Sequence, residues 1–75
     1  MKLSQLEPGQ KGLIESIDGD DILAVRLMEM GLLDGEEITV IGRAPMGDPT
    51  EFALRGYRLS LRRNESDRVL VSLLP

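Results

Sequence analysis

The chain of 75 residues contains neither cysteine nor histidine. Together those absences remove disulfide staples, zinc sites of the usual ligand types, thiol nucleophiles and the commonest general base. Aromatic residues are nearly missing as well: there is no tryptophan, and Phe52 and Tyr57 stand alone. That argues against a stacking platform for single-stranded nucleic acid and leaves little to line a proline-binding groove. No apolar run approaches the roughly 20 residues that cross a bilayer as a helix. Met1-Lys2-Leu3-Ser4 does not lead into the apolar stretch of a signal peptide, so a cytoplasmic location is the expectation. A chain of this length buries only about 60% of its unfolded surface. One domain over residues 1–75 is therefore expected, with a compact core and no room for an enzyme cleft beside it.

Charge is plentiful and unevenly spread. The net value is −4, but residues 1–42 hold three basic and nine acidic side chains, giving −6, whereas residues 43–75 hold six basic and four acidic, giving +2. All six basic groups of the second part are arginine. One reading is a solvated surface of mixed sign, as small domains need. The sharper one is a polar molecule that presents Arg55, Arg58, Arg62, Arg63 and Arg43 to an acidic partner.

Leu6-Glu7-Pro8-Gly9 reads as a type II turn, with proline presetting φ and glycine supplying φ > 0. It feeds a first strand over 11–17 whose inward face the pattern leaves open, since Leu13 and Ile14 are both apolar. Asp18-Gly19-Asp20-Asp21 then opens a helix of about ten residues, with Asp18 as N-cap and Asp21 at the third helical position. Gly31 closes it in a Schellman motif that folds Leu32 back on Leu27. Leu23, Leu27 and Met30 form the core-facing stripe, with Arg26 and Glu29 opposite. Seven of the nine residues from 22 to 30 are apolar, more than a helix capping a small barrel can bury. A turn at Asp34-Gly35 precedes a strand over 36–43, with Ile38 and Val40 on one face and Thr39 and Ile41 on the other. Residues 44–49 form a Pro/Gly loop, two short strands over 50–55 and 57–63 meet at Gly56, residues 64–67 make a capped helical turn, and a last strand closes at 69–73. The fold expected is mainly β: a small SH3-like barrel of about five strands, with one short helix after the first strand and a helical turn before the last. Its predicted core is Leu27, Met30, Leu32, Ile38, Val40, Leu59, Leu61 and Val71.

No catalytic constellation survives inspection, and no enzyme activity is expected. Ser4, Ser16, Ser60, Ser66 and Ser72 have no histidine to activate them, and Lys2 and Lys11 have no evident desolvating pocket. The three aspartates at 18–21 lack the further ligands and distal glutamate of a calcium loop. Gly31 and Gly35 lack the lysine and following helix of a phosphate loop. The surplus apolar side of the helix is the stronger signal. Val25 and Met28, continued by Leu33, are the candidate partner surface, with Arg55, Arg58 and Arg62 as its polar complement. The competing account is that Val25 and Met28 complete the core beneath the 44–49 loop.

Arg26-Leu27-Met28-Glu29-Met30-Gly31-Leu32, Gly35-Glu36, Arg43-Ala44-Pro45-Met46-Gly47-Asp48-Pro49 and Gly56-Tyr57-Arg58-Leu59-Ser60-Leu61-Arg62, in this order, are specific together. The chain resembles the FeoA family, small cytosolic proteins associated with bacterial ferrous iron uptake. Asp34 stands where family members often carry proline, a change compatible with the same turn. The resemblance implies support of the FeoB transporter, docking on its cytoplasmic GTPase region, and contact with the membrane only through that partner. It implies no catalytic residue and no cofactor. The architecture also occurs as the carboxy-terminal domain of metal-dependent repressors, but no DNA-reading helix pair is present. An iron-related role is expected without iron coordination, because Fe(II) sites usually recruit imidazole or thiolate. The alternative is a small nucleic-acid-binding barrel, which net acidity and aromatic poverty disfavour. Weak self-association is compatible with the exposed apolar residues.

Overall fold

The structure is a computed structural model that describes residues 1–75. Five strands form one antiparallel sheet in the order β4-β3-β2-β1-β5, with β1 at Lys11–Ile17, β2 at Glu37–Arg43, β3 at Thr50–Leu54, β4 at Tyr57–Leu61 and β5 at Val69–Leu74. Helix α1 (Ile22–Glu29) follows β1, and the single turn α2 (Arg63–Ser66) precedes β5. A 3-10 turn at Leu3–Gln5, which the sequence pattern does not announce, packs its end of the chain onto this framework.

Irregular pairing curls the sheet. The register shifts between Ile14 and Ser16 where β1 meets β5, and between Val40 and Gly42 where β2 meets β3. Such bulges bend a strand and raise its twist, so a single sheet can wrap around a core. One free edge is covered as well, because Lys2 bridges Leu70 and the Val71 amide donates to the Met1 carbonyl at 2.8 Å. Covering an edge in this way hides unpaired backbone groups from other chains.

The core is a cluster of Leu3, Leu6, Ile14, Leu27, Leu32, Ile38, Val40, Phe52, Leu54, Leu61, Val69 and Val71. Leu27, Leu32, Ile38, Val40, Leu61 and Val71 were expected there, and Met30 and Leu59 pack against it half-buried. On β1 the inward residues are Gly12 and Ile14. Gly12 sits in a tight space: a Cβ there would lie 3.0 Å from a Leu6 methyl and 3.1 Å from the Val71 Cβ, so those neighbours would have to give by a few tenths of an ångström. Leu6 therefore packs over Gly12 of β1, and Leu3, in the 3-10 turn that lies against β5 and α2, joins the same core.

Three local expectations are corrected. Asp21 is the N-cap, accepting from the Ala24 amide at 3.2 Å, so α1 has eight residues and Asp18 lies outside it. Asp18 instead ends the β1 ladder, its amide donating to the Arg68 carbonyl at 2.7 Å. The proline turn spans Glu7 to Gln10, since Gln10 donates to the Glu7 carbonyl at 3.0 Å and this register puts Pro8 and Gly9 at the central positions. The late helical turn starts one residue early, at Arg63, because the Arg62 amide is held by the Glu65 carboxylate at 2.7 Å.

A candidate partner-docking face on helix α1

Both ends of α1 are tied down by side chains distant in sequence, one from the turn before β5 and one from β4. At its start, the Arg68 guanidinium donates to the Asp21 carboxylate at 2.5 and 3.3 Å and to the Asp18 carbonyl at 2.7 Å. The hydrogen bond from Arg68, and next the one from the Ala24 amide, hold the Asp21 carboxyl below its ordinary value. At its end the expected Schellman motif is present. Leu32 donates to the Leu27 carbonyl at 3.2 Å and Gly31 to that of Met28 at 3.0 Å, with Gly31 at φ +99°. The Tyr57 hydroxyl, at the start of β4, donates to the Met30 carbonyl and so joins the edge strand to the helix terminus.

A helix held this way presents one side to the core and the other to solvent. Ala24 and Leu27 are buried and Leu23 and Met30 pack against the core. Ile22 is 79% exposed, Val25 48% and Met28 43%, and Leu33 beyond the turn is 45% exposed. Residues 22, 25 and 28 recur at three-residue spacing, so they form one continuous stripe. Val25 and Met28 do not complete the core. Ile22 is the member that the sequence reading left out of the site; its position three residues before Val25 was the available signal.

The predicted arginines separate. Arg55 pairs with Glu36 at 3.4 Å, and the Glu36 amide donates to the Leu33 carbonyl, so Arg55 borders the Leu33 end of the stripe. Arg58 pairs with Glu51 at 3.9 Å and Arg62 with Asp48 at 3.7 Å, further along β4 toward the 44–49 loop. All three keep more than half of the side chain exposed. Arg43 pairs with Glu7 at 3.1 Å and donates to the Leu6 carbonyl at 2.8 Å. Of the six arginines in residues 43–75, Arg63 alone has no carboxylate partner.

Elsewhere the surface offers little for chemistry. An open depression of about 390 Å³ is lined by Gly42, Arg43, Ala44, Pro49, Glu51 and Ser60. Its charged groups, Arg43 and Glu51, are engaged with Glu7 and Arg58. Phe52 is in the core and Tyr57 faces the helix end, so the two aromatics line no common groove. No three carboxylates converge on a point where a metal ion could sit.

The FeoA domain model matches residues 1–73. The chain belongs to the FeoA family. FeoA proteins form a family of ferrous iron transport accessories, which is not a class of enzymes. A curated relative from Porphyromonas gingivalis, a fusion of Fe(2+) transport protein A with the Fe(2+) transporter FeoB, is 35% identical over 99% of this chain. The match spans 9% of that relative's length. Among solved structures, a FeoA-like protein from Clostridium acetobutylicum superposes with a TM-score of 0.94 at 39% identity, covering 100% of this chain and 87% of that one. Stenotrophomonas maltophilia FeoA, solved with zinc and described as an SH3 domain protein, gives a TM-score of 0.85 at 33% identity over 96% of this chain and 89% of its own. The SH3-like fold expected for this FeoA-family chain is thus the fold it has. No helix of it is long and apolar enough to cross a membrane.

Proposed function

We propose that this FeoA-family chain is a cytoplasmic accessory of ferrous iron uptake that docks, without catalysis of its own, on the cytoplasmic GTPase region of FeoB. The docking face is the apolar stripe of Ile22, Val25, Met28 and Leu33. The observation that supports it most is the exposure of that stripe on a helix fixed at both ends. Four neighbouring large apolar residues left to solvent gain most by being covered. Because the helix needs no reordering to present them, little conformational entropy is lost on binding. The fused relative supports the choice of partner, since it joins a FeoA-like segment to FeoB in one polypeptide. Arg55 would extend the face at its Leu33 end. Arg58 and Arg62 would contribute only where the partner also covers β4 and offers carboxylates in place of Glu51 and Asp48.

The test is the double substitution Val25→Ser/Met28→Ser, measured against the isolated cytoplasmic region of FeoB by calorimetry. Loss of binding is expected with folding stability changed by no more than about 0.5 kcal/mol, because the altered side chains are exposed. A double variant that binds FeoB like the unaltered chain would sink the proposal.

A further inference from the structure

The charges around the stripe specify what can cover it. Between residues 18 and 37 there are seven carboxylates and one base, Arg26. Asp21 and Glu36 are neutralised by Arg68 and Arg55, and Asp18 lies within the field of Arg68. Asp20, Glu29, Asp34 and Glu37 have no cationic partner, and all four are exposed. Asp20 stands just before the helix, Glu29 four residues after Val25, and Asp34 beside Leu33, while the exposed Arg26, four residues after Ile22, is the one cation at the border, so carboxylates outnumber it three to one around the rim of the stripe.

From this we infer that the segment docking on α1 is a cationic amphipathic helix, apolar toward Ile22, Val25 and Met28 and carrying lysine or arginine along its flanks. The inference rests on the docking face proposed above and adds the chemistry of its occupant. A helix is specified because residues at three-residue spacing form a ridge that fits the groove of another helix. A basic flank is specified because it would meet Asp20, Glu29 and Asp34 with opposite charge, which steers encounter and fixes register. The same rim disfavours the other occupants. A second copy packed α1 on α1 would place like carboxylates together, while an anionic lipid surface or a nucleic acid would be repelled.

The probes are synthetic helical peptides of about 14 residues, with leucines at one face and either lysine or glutamate on the flanks, plus a scrambled lysine control. Each is titrated into the isotope-labelled chain and followed by NMR shifts. The lysine peptide should shift Ile22, Val25, Met28 and Leu33 and bind about tenfold more tightly than the glutamate peptide at low salt, with the preference shrinking as salt screens the rim. Glu29→Lys/Asp34→Lys should reverse the preference; Glu29→Gln/Asp34→Asn, which adds no charge, should abolish it should the reversal variant fail to fold. Equal binding of both charged peptides, equal binding of the scrambled control, shifts confined to residues outside α1 and the Leu33 turn, or tighter binding to phosphatidylglycerol vesicles than to the lysine peptide would each overturn the inference. These readouts do not use FeoB. Undiminished FeoB binding by the charge-reversed chain would refute the cationic occupant and leave the docking reading standing, whereas loss of FeoB binding from the unaltered chain refutes the docking reading alone.

Discussion

Gly31 is where backbone conformation and a tertiary contact meet in one residue. Its φ of +99° suits glycine, and a Cβ added there would collide with the Tyr57 hydroxyl. Gly35 has a similar φ of +85° but open space around it. Gly35→Ala should therefore cost about 1 kcal/mol from conformation alone, and Gly31→Ala measurably more in the same denaturant titration. Tyr57→Phe in the Gly31→Ala background should recover part of the difference; an equal cost for the two glycines would dispose of the tyrosine contact. Asp21 gives a second expectation, in pH. Its carboxyl is lowered from 3.8 by the Arg68 hydrogen bond first and the Ala24 amide next. A carboxyl lowered in the folded state contributes stability that is complete above its unfolded value and disappears as pH falls through the folded one. The thermal midpoints of the unaltered chain and Asp21→Asn should differ at neutral pH and converge on the acid side of 3.8. Asparagine also caps helices, so a gap that persists in acid would assign the effect to something other than ionisation.

At the scale of elements, α1 divides its work between two sides. Leu27 is 1% exposed and sits among the core leucines, whereas Val25 and Met28, two and one residues away, are in solvent. Leu27→Ala should cost about 2 to 5 kcal/mol, a large share of what a domain this small possesses, and urea titration should show a chain unfolded or close to it. Val25→Ser/Met28→Ser should leave the same titration nearly unmoved. Equal effects from the two substitutions would mean that the helix does not lie with the face described. The β3–β4 hairpin serves the helix too: its two-residue turn at Arg55-Gly56 puts Tyr57 beside the Met30 carbonyl and Arg55 beside Glu36.

Across the whole molecule, the uneven charge of the sequence is largely cancelled by folding. Arg43, Arg55 and Arg68 reach back to Glu7, Glu36 and Asp21, so half of the late arginines neutralise early carboxylates. What remains free is mostly acidic and lies around α1. The donor set is equally one-sided: with neither histidine nor cysteine and no three carboxylates converging, the chain offers Fe(II) or Zn(II) only scattered oxygen atoms. Calorimetry on the isolated monomer should show only weak, non-stoichiometric binding of either ion. A stoichiometric submicromolar site would refute this and require ligands that move together on binding.

The sequence by itself determined the five strands, the two helices and their order, though not the 3-10 turn at Leu3–Gln5. Alternation in 36–43 and 57–61, the Gly31 stop and the Asp34-Gly35 turn are local signals, decided by φ preferences and by which faces are apolar. It also showed that α1 carries more apolar side chains than a small barrel covers. Only the tertiary structure decided which of them stay outside, because that depends on what packs over the helix, and nothing does at Ile22, Val25 and Met28. The core roles of Leu3, Leu6 and Phe52 were hidden for the same reason: each is buried by residues far away in the chain, and no periodicity over a few positions reports it. The N-cap was misread because three aspartates close together have equal local standing, and Arg68, 47 residues from Asp21, selects among them. The arginines read as free charges in the sequence, and the fold pairs five of the six late ones, since only three-dimensional proximity brings their carboxylates within reach.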